Sequence, residues 1–261
     1  MRTSVILNLK GGVAKTASTV NIAAILAKDY GKRVLLIDAD SQCNTTEFFY
    51  ADPGNGNLAE VLRYTGPGAG EFAVTNIQHT YFKGIDILAG DDSLMDLDLT
   101  KVELQTVQAS VLRDMVRILK EQNKYDYCLV DCPPAFNAAS AAALIAADEV
   151  IIPIKLDAFS MRGMINLFQQ IHNMRVINPQ LLLAGCLPTM WYKSDNILVA
   201  EQELRNSGLP MFSHIRRTDK VDDMTFSQEP LLISSPRSAA GVDYRRFVQE
   251  WLGLKGGASN G

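Results

Sequence analysis

Excess basic charge, long apolar runs and clustered cysteines are all missing from this sequence. Its 261 residues contain 25 lysines and arginines against 29 aspartates and glutamates, a net charge of −4 at pH 7. Without a global positive field, any contact with nucleic acid or an anionic membrane must come from a local patch. No apolar run reaches the length of about 20 residues that crosses a bilayer. The amino terminus leads straight into the first predicted strand, and no signal peptide is visible.

The cysteines are too few and too scattered to indicate a disulfide framework or a zinc site. None of them forms a Cys-x-x-Cys pair, the spacing typical of thiolate metal centres. Two of them fall on or beside one predicted strand, where buried thiols are common. We therefore expect a reduced, cytoplasmic protein. The cysteines are Cys43, Cys128, Cys132 and Cys186.

Apolar runs typical of buried strands alternate with amphipathic stretches through most of the chain. This alternation indicates a parallel sheet, because each crossover between parallel strands contains a helix. We predict one doubly wound α/β domain over residues 1–254, with a mostly parallel sheet, helices on both faces, and a flexible tail at 255–261. Strands are predicted at 5–7, 33–38, 85–88, 127–131, 150–154 and 181–187, and helices at 15–27, 58–64, 102–122, 138–147, 161–176, 197–206 and 239–252.

A glycine loop follows the first strand and opens the first helix. Gly11-Gly12 comes after the apolar run, and Lys15-Thr16 comes just before a helical stretch. Glycines let the backbone turn its N–H groups towards one point, and the helix directs the positive end of its dipole there. In such a loop Lys15 binds the β- and γ-phosphates of a nucleotide, and the Thr16 hydroxyl binds Mg²⁺.

The strict P-loop pattern does not fit, because its two glycines would fall on Leu9 and Ala14. The sequence fits Lys-Gly-Gly-x-x-Lys-Thr instead, starting at Lys10. This motif resembles the deviant Walker A motif of the ParA, MinD and nitrogenase iron protein ATPases. In that family the first lysine reaches across a dimer to the partner's nucleotide, and the resemblance assigns this role to Lys10. It implies that the ATP-binding residues are Lys10, Gly11, Gly12, Val13, Ala14, Lys15, Thr16 and Ala17.

Two further strand ends bear acids. Asp38 and Asp40 end the second predicted strand, and Asp131 ends the strand at 127–131. Ligands bind beyond the carboxyl ends of parallel strands, so we expect these acids near the phosphate loop. Both stretches resemble family motifs, the second being the Walker B strand. The resemblance implies that Asp38 orients the Mg²⁺ shell, Asp40 activates the attacking water and Asp131 holds Mg²⁺ through water. A helix or turn cap is the alternative for Asp40 and Asp131. The implied catalytic residues are Lys10, Lys15 and Asp40, and the implied metal residues are Thr16, Asp38 and Asp131.

Basic residues are concentrated in the last fifth of the chain, where acids alternate with them. Composition alone fits a solvated mixed face as well as a DNA-binding patch. The resemblance to ParA proteins favours DNA. By the same resemblance, residues 215–217 lie at the position in the sequence where ParA proteins have a segment beside the adenine base of the nucleotide. The predicted DNA-binding residues are Arg216, Arg217, Lys220, Arg237, Arg245 and Arg246.

The resemblance spans nearly the whole chain and implies a ParA-type partition ATPase. We expect ATP to join two copies, the homodimer to bind DNA nonspecifically, and a ParB-like centromere-binding partner to stimulate hydrolysis at the nucleoid. A MinD-like regulator at a membrane surface is the alternative, and it would use an apolar face of the last helix that we expect to pack in the core. A redox ATPase like the nitrogenase iron protein is disfavoured, because no cysteine lies in a glycine-rich cluster loop.

Overall fold

The computed structural model describes residues 1–97 and 107–253, without the side chains of 107–109 and 158–163. The strands in this part are β1 (Arg2–Ile6), β2 (Val34–Asp38), β3 (Gln78–His79), β4 (Ile85–Leu88), β5 (Tyr127–Asp131), β6 (Glu149–Lys155) and β7 (Leu182–Thr189). They form one sheet in the order β3-β4-β2-β5-β1-β6-β7. Every neighbouring pair is parallel except β3 and β4. The predicted α/β class with a mostly parallel sheet is confirmed.

Helices cover both faces of the sheet, so the strands are buried on both sides. The helices are α1 (Lys15–Tyr30), α2 (Asn44–Phe48), α3 (Leu58–Arg63), α4 (Ala69–Thr75), α5 (Val107–Glu121), α6 (Ala138–Ala146), α7 (Ala158–Met174), α8 (Asp195–Asn206), α9 (Lys220–Ser227), α10 (Leu231–Ser234) and α11 (Ala239–Trp251), with 3₁₀ turns at Pro53–Asn55 and Asp92–Asp96. Successive strand residues point to opposite faces, so Val5 and Leu7 enter the core under α5 and α6, while Ile6 packs with α1 and α11.

The sheet order brings the predicted site together. β5 lies between β1 and β2, and Asp131 is in register with Ile6 on one side and with Asp38 on the other. The phosphate loop leaves the carboxyl end of β1, so it emerges beside both acids. Three segments far apart in sequence therefore end at one edge of the sheet, as the strand-end rule predicts.

Several elements differ from the sequence-based predictions. Residues 51–84, predicted to be irregular apart from one helical patch, also contain α4 and β3. The region after 218 contains α9 and α10, which have no counterpart among the predicted helices. The described part of the long predicted helix at 102–122 begins at Val107, and residues 102–106 lie outside the described part. The one-domain assignment over 1–254 stays a prediction, and the predicted tail at 255–261 lies outside the described residues.

The apolar side of α11 is buried in the core. Phe247 and Val248 are fully buried and Trp251 is 5% exposed. The indole N–H of Trp251 donates to Glu149 Oε1 at 2.8 Å, which ties the helix to β6. This side of the helix is thus occupied by the protein's own core. Within the described residues, no helix combines the length and apolarity needed to cross a membrane.

Candidate active site

The phosphate loop contains two left-handed backbone positions. Gly12 has a φ of 68°, and Ala14 has a φ of 62°. This conformation costs glycine little but is unfavourable for alanine, so Ala14 needs support from the surrounding structure. α1 begins immediately afterwards at Lys15, which places the positive end of the helix dipole at the loop. The local geometry is therefore that of an anion cradle.

Lys15 is buried, with 7% of its surface exposed. Its Nζ donates to the backbone carbonyl oxygen of Lys10 at 3.2 Å. Burial lowers the pKa of Lys15, and the charges of Asp131 and Asp40 offset part of that effect. Because a buried charge is costly until it is well paired, this ammonium favours an anionic ligand in the loop.

Asp131 carries two hydrogen bonds on one oxygen and none on the other. Its Oδ2 accepts from the hydroxyls of Thr16 and Thr45, each at 2.7 Å. Its Oδ1 is buried and accepts no hydrogen bond from the described residues. A buried carboxylate oxygen without a partner, close to a threonine hydroxyl, fits the oxygen ligands that Mg²⁺ prefers. Thr45 was not among the predicted site residues, although it lies only five residues beyond Asp40.

Asp38 lies beside Asp131, with both oxygens bonded to its own loop. Its Oδ1 accepts from the Asp40 N–H at 3.2 Å, and its Oδ2 accepts from the Thr46 N–H and hydroxyl at 2.8 and 2.7 Å. Burial and then the charge of Asp131 raise the pKa of Asp38 to about 7, and burial raises the pKa of Asp131 to about 6. Because the Asp38 oxygens already accept hydrogen bonds, the residue fits an outer-shell role towards a metal.

Asp40 caps the turn that follows it. Its Oδ1 accepts from the Gln42 N–H at 3.0 Å, and the residue is 8% exposed. This is the capping role that the sequence left as an alternative. The charge of Asp40 also acts on Lys15, where it offsets part of the lowering of the pKa by burial. Its action on water stays a prediction.

Lys10 is held by an acid that the sequence analysis missed. Its Nζ donates to both carboxylate oxygens of Asp157, at 2.8 and 2.9 Å. Lys155 also approaches this carboxylate, with its Nζ 3.8 Å from Oδ2. Asp157 follows β6, a neighbour of β1 in the sheet. The strand-end rule that found Asp38 and Asp131 could therefore have found Asp157 as well.

A cavity of about 310 Å³ opens beside the phosphate loop. Its lining includes Ala14 from the loop, Thr189 at the end of β7, and Tyr244 on α11. The 215–217 segment also lines it, and its contact with an adenine base stays a prediction. Asp243 fixes this segment, because its buried carboxylate accepts from the Arg216 N–H at 3.0 Å and from the guanidinium at 2.7 and 2.9 Å. The volume of the cavity is at the lower end of the range typical of small-molecule sites.

Four of the six residues in the predicted basic cluster are paired with acids. Arg216 belongs to the cavity wall and is paired with Asp243, and Arg246 also approaches Asp243, at 3.4 Å. Lys220 is paired with Asp223, and Arg245 is paired with Asp29. Arg217 is exposed and lines the same cavity, while Arg237 is exposed just before α11. Acids therefore accompany most of these basic residues, and DNA binding by them stays a prediction.

These features define a P-loop enzyme that hydrolyses nucleotides. The loop supplies a buried lysine at a helix amino terminus, and the adjacent strand ends supply carboxylates that fit a metal. The family described as an AAA domain matches residues 1–183. The chain is 31% identical over 258 residues to the chromosome partitioning protein ParA of Caulobacter vibrioides, covering 96% of this chain and 93% of that protein. It is 28% identical to a ParA family protein of Chlamydia trachomatis, with 97% and 98% covered. The chain therefore belongs to the ParA family of ATPases.

Solved structures agree on the fold. An McdA variant from Cyanothece in complex with ATP superposes with a TM-score of 0.82 at 22% identity, covering 99% of each chain. Cobyrinic acid a,c-diamide synthase from Mycobacterium smegmatis, with an ATP analogue and magnesium bound, gives a TM-score of 0.78 at 27% identity, covering 97% of this chain and 94% of that one. Both share the doubly wound architecture with this chain.

Proposed function

We propose that this chain is a partition ATPase that binds ATP with Mg²⁺, dimerises on ATP, binds DNA nonspecifically, and hydrolyses ATP when a ParB-like partner stimulates it. The observation that carries the proposal is the phosphate loop with two lysines in different surroundings. Lys15 is buried and fits the phosphates of the chain's own nucleotide. Lys10 is partly exposed and paired with Asp157, so it is not committed to that nucleotide.

Thr16 and Asp131 would hold Mg²⁺, with Asp38 in the outer shell. The ion, when bound, neutralises negative charge on the phosphate oxygens. Lys15 binds the same oxygens, and Asp40 accepts a hydrogen bond from the attacking water and so orients it. Because Asp131 Oδ2 accepts from Thr16 and Thr45, the unpartnered Oδ1 would be the oxygen available to Mg²⁺ or its bound water. Little covalent chemistry is required of the protein, since positioning and charge stabilisation account for most of the catalysis.

Dimerisation gives Lys10 its role. Two ammonium groups on one set of phosphates repel one another, whereas a lysine from a facing subunit adds its charge only when both nucleotides are present. Asp157 neutralises Lys10 in the single chain, so the loop does not carry two uncompensated charges. The relatives named for partitioning support DNA as the surface to which the dimer binds.

The membrane alternative has less support. Phe247, Val248 and Trp251, which a MinD-like anchor would direct to lipid, pack in the core. The redox alternative is also weaker, because no cysteine lies in a glycine-rich cluster loop.

A binding assay with wild-type protein and Lys15→Ala tests the nucleotide site. We expect wild type to bind ATP with Mg²⁺ and the variant to lose detectable binding, because the charge on the phosphates is gone. Calorimetry measures the affinity, and Lys124→Ala at the opposite end of the sheet serves as the control. Retention on DNA and pelleting with lipid vesicles, both measured with ATP, then distinguish DNA binding from membrane binding. Equal ATP affinity in Lys15→Ala would overturn the assignment.

A further inference from the structure

A buried hydroxyl from the end of β7 supports the phosphate loop. Thr189 Oγ1 donates to the backbone carbonyl oxygen of Val13 at 3.1 Å. Both residues are 1% exposed, so water does not compete for this bond. The bond joins residues 176 positions apart, and through it the end of β7 contacts the phosphate loop. A buried carbonyl deprived of this donor would have no compensation for its desolvation.

The anchored peptide unit precedes the strained residue of the loop. Ala14 has φ 62° and ψ 37°, in the left-handed region that favours glycine. The Ser18 N–H donates to the carbonyl of Ala14 at 2.9 Å, so α1 holds one side of this residue and Thr189 holds the other. Strained backbone persists only where such contacts over-determine it. Ala14 therefore depends on Thr189 more than a glycine there would.

Anchoring the carbonyl also orients the next N–H group. A trans peptide unit points its C=O and N–H in opposite directions. With the Val13 oxygen fixed towards β7, the Ala14 N–H is directed away from β7. Backbone N–H groups are the donors with which a glycine loop binds phosphate. The hydroxyl of Thr189 thus sets the orientation of one phosphate donor.

We propose that Thr189 is a positioning residue for phosphate binding, acting through the Val13–Ala14 peptide rather than by touching the phosphates. The proposal rests on the proposed ATP site. Thr189 also lines the cavity beside the loop, which gives a competing role, a direct contact with the base. Its neighbour Met190 has a left-handed backbone, with a φ of 52°. The extended strand therefore ends at Thr189, which places the Thr189 hydroxyl at the end of β7.

The decisive comparison uses Thr189→Val, which keeps the shape but removes the hydroxyl, and Thr189→Ser, which keeps the hydroxyl. Binding of Mg²⁺ with ATP and of Mg²⁺ with tripolyphosphate, which has no base, is measured by calorimetry. We expect Thr189→Val to weaken both ligands by about tenfold, the effect of one buried hydrogen bond. Thr189→Ser should bind both within about twofold of wild type, because the donor is retained.

Ala14→Gly supplies a second, independent measurement. Glycine adopts the left-handed conformation without support, so Thr189→Val should cost less affinity in the Ala14→Gly background than in wild type. Equal decreases in both backgrounds would overturn the link to Ala14. Unchanged tripolyphosphate affinity in Thr189→Val overturns the positioning role, and a decrease confined to ATP shows a contact with the base instead. If wild type itself binds neither ligand, the proposed ATP site fails together with this inference.

Discussion

Lys10 and Lys15 lie in one loop, yet their surroundings differ. Lys15 is buried against a backbone carbonyl, whereas the Lys10 side chain is 36% exposed and bonded to the Asp157 carboxylate. An ion pair this exposed is weak and is exchanged readily for a stronger anion. The difference supports a fixed role for Lys15 on its own nucleotide and a movable role for Lys10. Spacing in the motif could not reveal this, because Asp157 is distant in sequence.

At the same residue scale, Asp40→Ala separates catalysis from binding. We expect ATP affinity to change little, because Asp40 does not bind the phosphates. We expect the hydrolysis rate to fall by about 10²-fold or more, since no carboxylate then orients the water. Calorimetry and a phosphate-release assay measure the two quantities.

Asp52→Ala is the matched control for Asp40→Ala. Asp52 makes the same type of turn contact, its Oδ1 accepting from the Gly54 N–H at 2.9 Å, but it lies on an exposed turn. Both variants should lose about 1 kcal/mol of capping energy. If Asp40→Ala hydrolyses ATP as fast as Asp52→Ala, Asp40 is only a cap.

The raised pKa values of Asp38 and Asp131 give a second residue-scale prediction. As pH falls from 8 to 6 these carboxyls take up protons, so the site loses negative charge and affinity for Mg²⁺ with ATP. We expect affinity to fall as pH falls across this range, because burial raises the pKa of both carboxyls towards it. The same pH series is repeated in EDTA, without free metal. It measures how much of the decrease in affinity comes from protonation of the nucleotide itself. An identical decrease with and without Mg²⁺ would contradict the assignment of these acids.

Stability should change with pH in a related way. An unfolded aspartate ionises at a pKa near 3.8, and the folded pKa of Asp38 is about 7. A raised carboxyl pKa contributes stability that is present at low pH and disappears as pH rises between these values. The metal-free protein should therefore lose the Asp38 contribution between about pH 4 and pH 7. Denaturant unfolding at a series of pH values measures the change.

At the scale of elements, short helices were the hardest to predict. α4 has seven residues and α10 has four, and neither was predicted. Helices of this length are unstable alone and exist because their apolar residues pack. Ala73 of α4 and Leu231 of α10 are fully buried in the core. Their helical state is thus decided by a partner that a local sequence pattern does not show.

Helix α11 carries two of the predicted DNA-binding residues, Arg245 and Arg246, and its Tyr244 lines the cavity. Arg245→Ala with Arg246→Ala should weaken ATP-dependent DNA binding equally across sequences. The slope of log affinity against log salt should flatten by up to about 0.9 for each DNA phosphate that the variant no longer neutralises. Arg245 makes the shorter ion pair, at 2.8 Å with Asp29 against 3.4 Å between Arg246 and Asp243, so its contribution should be the smaller of the two. Filter binding over a salt series measures the slope.

The control for this pair is Arg33→Ala. Arg33 is an exposed arginine paired with Asp126, at the amino-terminal end of β2 and β5. An unchanged slope in the double variant, or an equally large change in Arg33→Ala, would argue against α11 as the DNA surface.

At the scale of the whole molecule, the question is whether ATP joins two copies. Lys10→Ala should bind ATP near the wild-type affinity but remain monomeric, because the charge supplied to the facing nucleotide is gone. Hydrolysis and DNA retention should fail with it. Sedimentation with ATP and with a slowly hydrolysed analogue measures the association.

Asp157→Asn also tests the ATP-dependent association, by changing the acid that is paired with Lys10. It removes the charge that holds Lys10, so ATP-dependent association should be retained or strengthened. A dimer of Lys10→Ala with normal turnover would falsify the role of Lys10 in the partner site.

The sequence by itself determined the phosphate loop, the acids at the strand ends and the class of fold. These features are local: a glycine pair frees the backbone, a helix start orients a dipole, and a buried strand shows as an apolar run that ends in a functional residue. From them the edge of the sheet at which the site lies also followed, since parallel strands share one functional end.

Only the tertiary structure decided what holds that site in shape. Asp157 meets Lys10 because β6 lies beside β1, and Thr189 reaches Val13 because β7 follows β6 in the sheet. Arg216, predicted to bind DNA, is bonded to Asp243 of α11, a helix that itself contributes to the cavity wall. These contacts join residues between 27 and 176 positions apart. Their partners are chosen by strand order and helix packing, which depend on burial of the whole core and not on any local pattern.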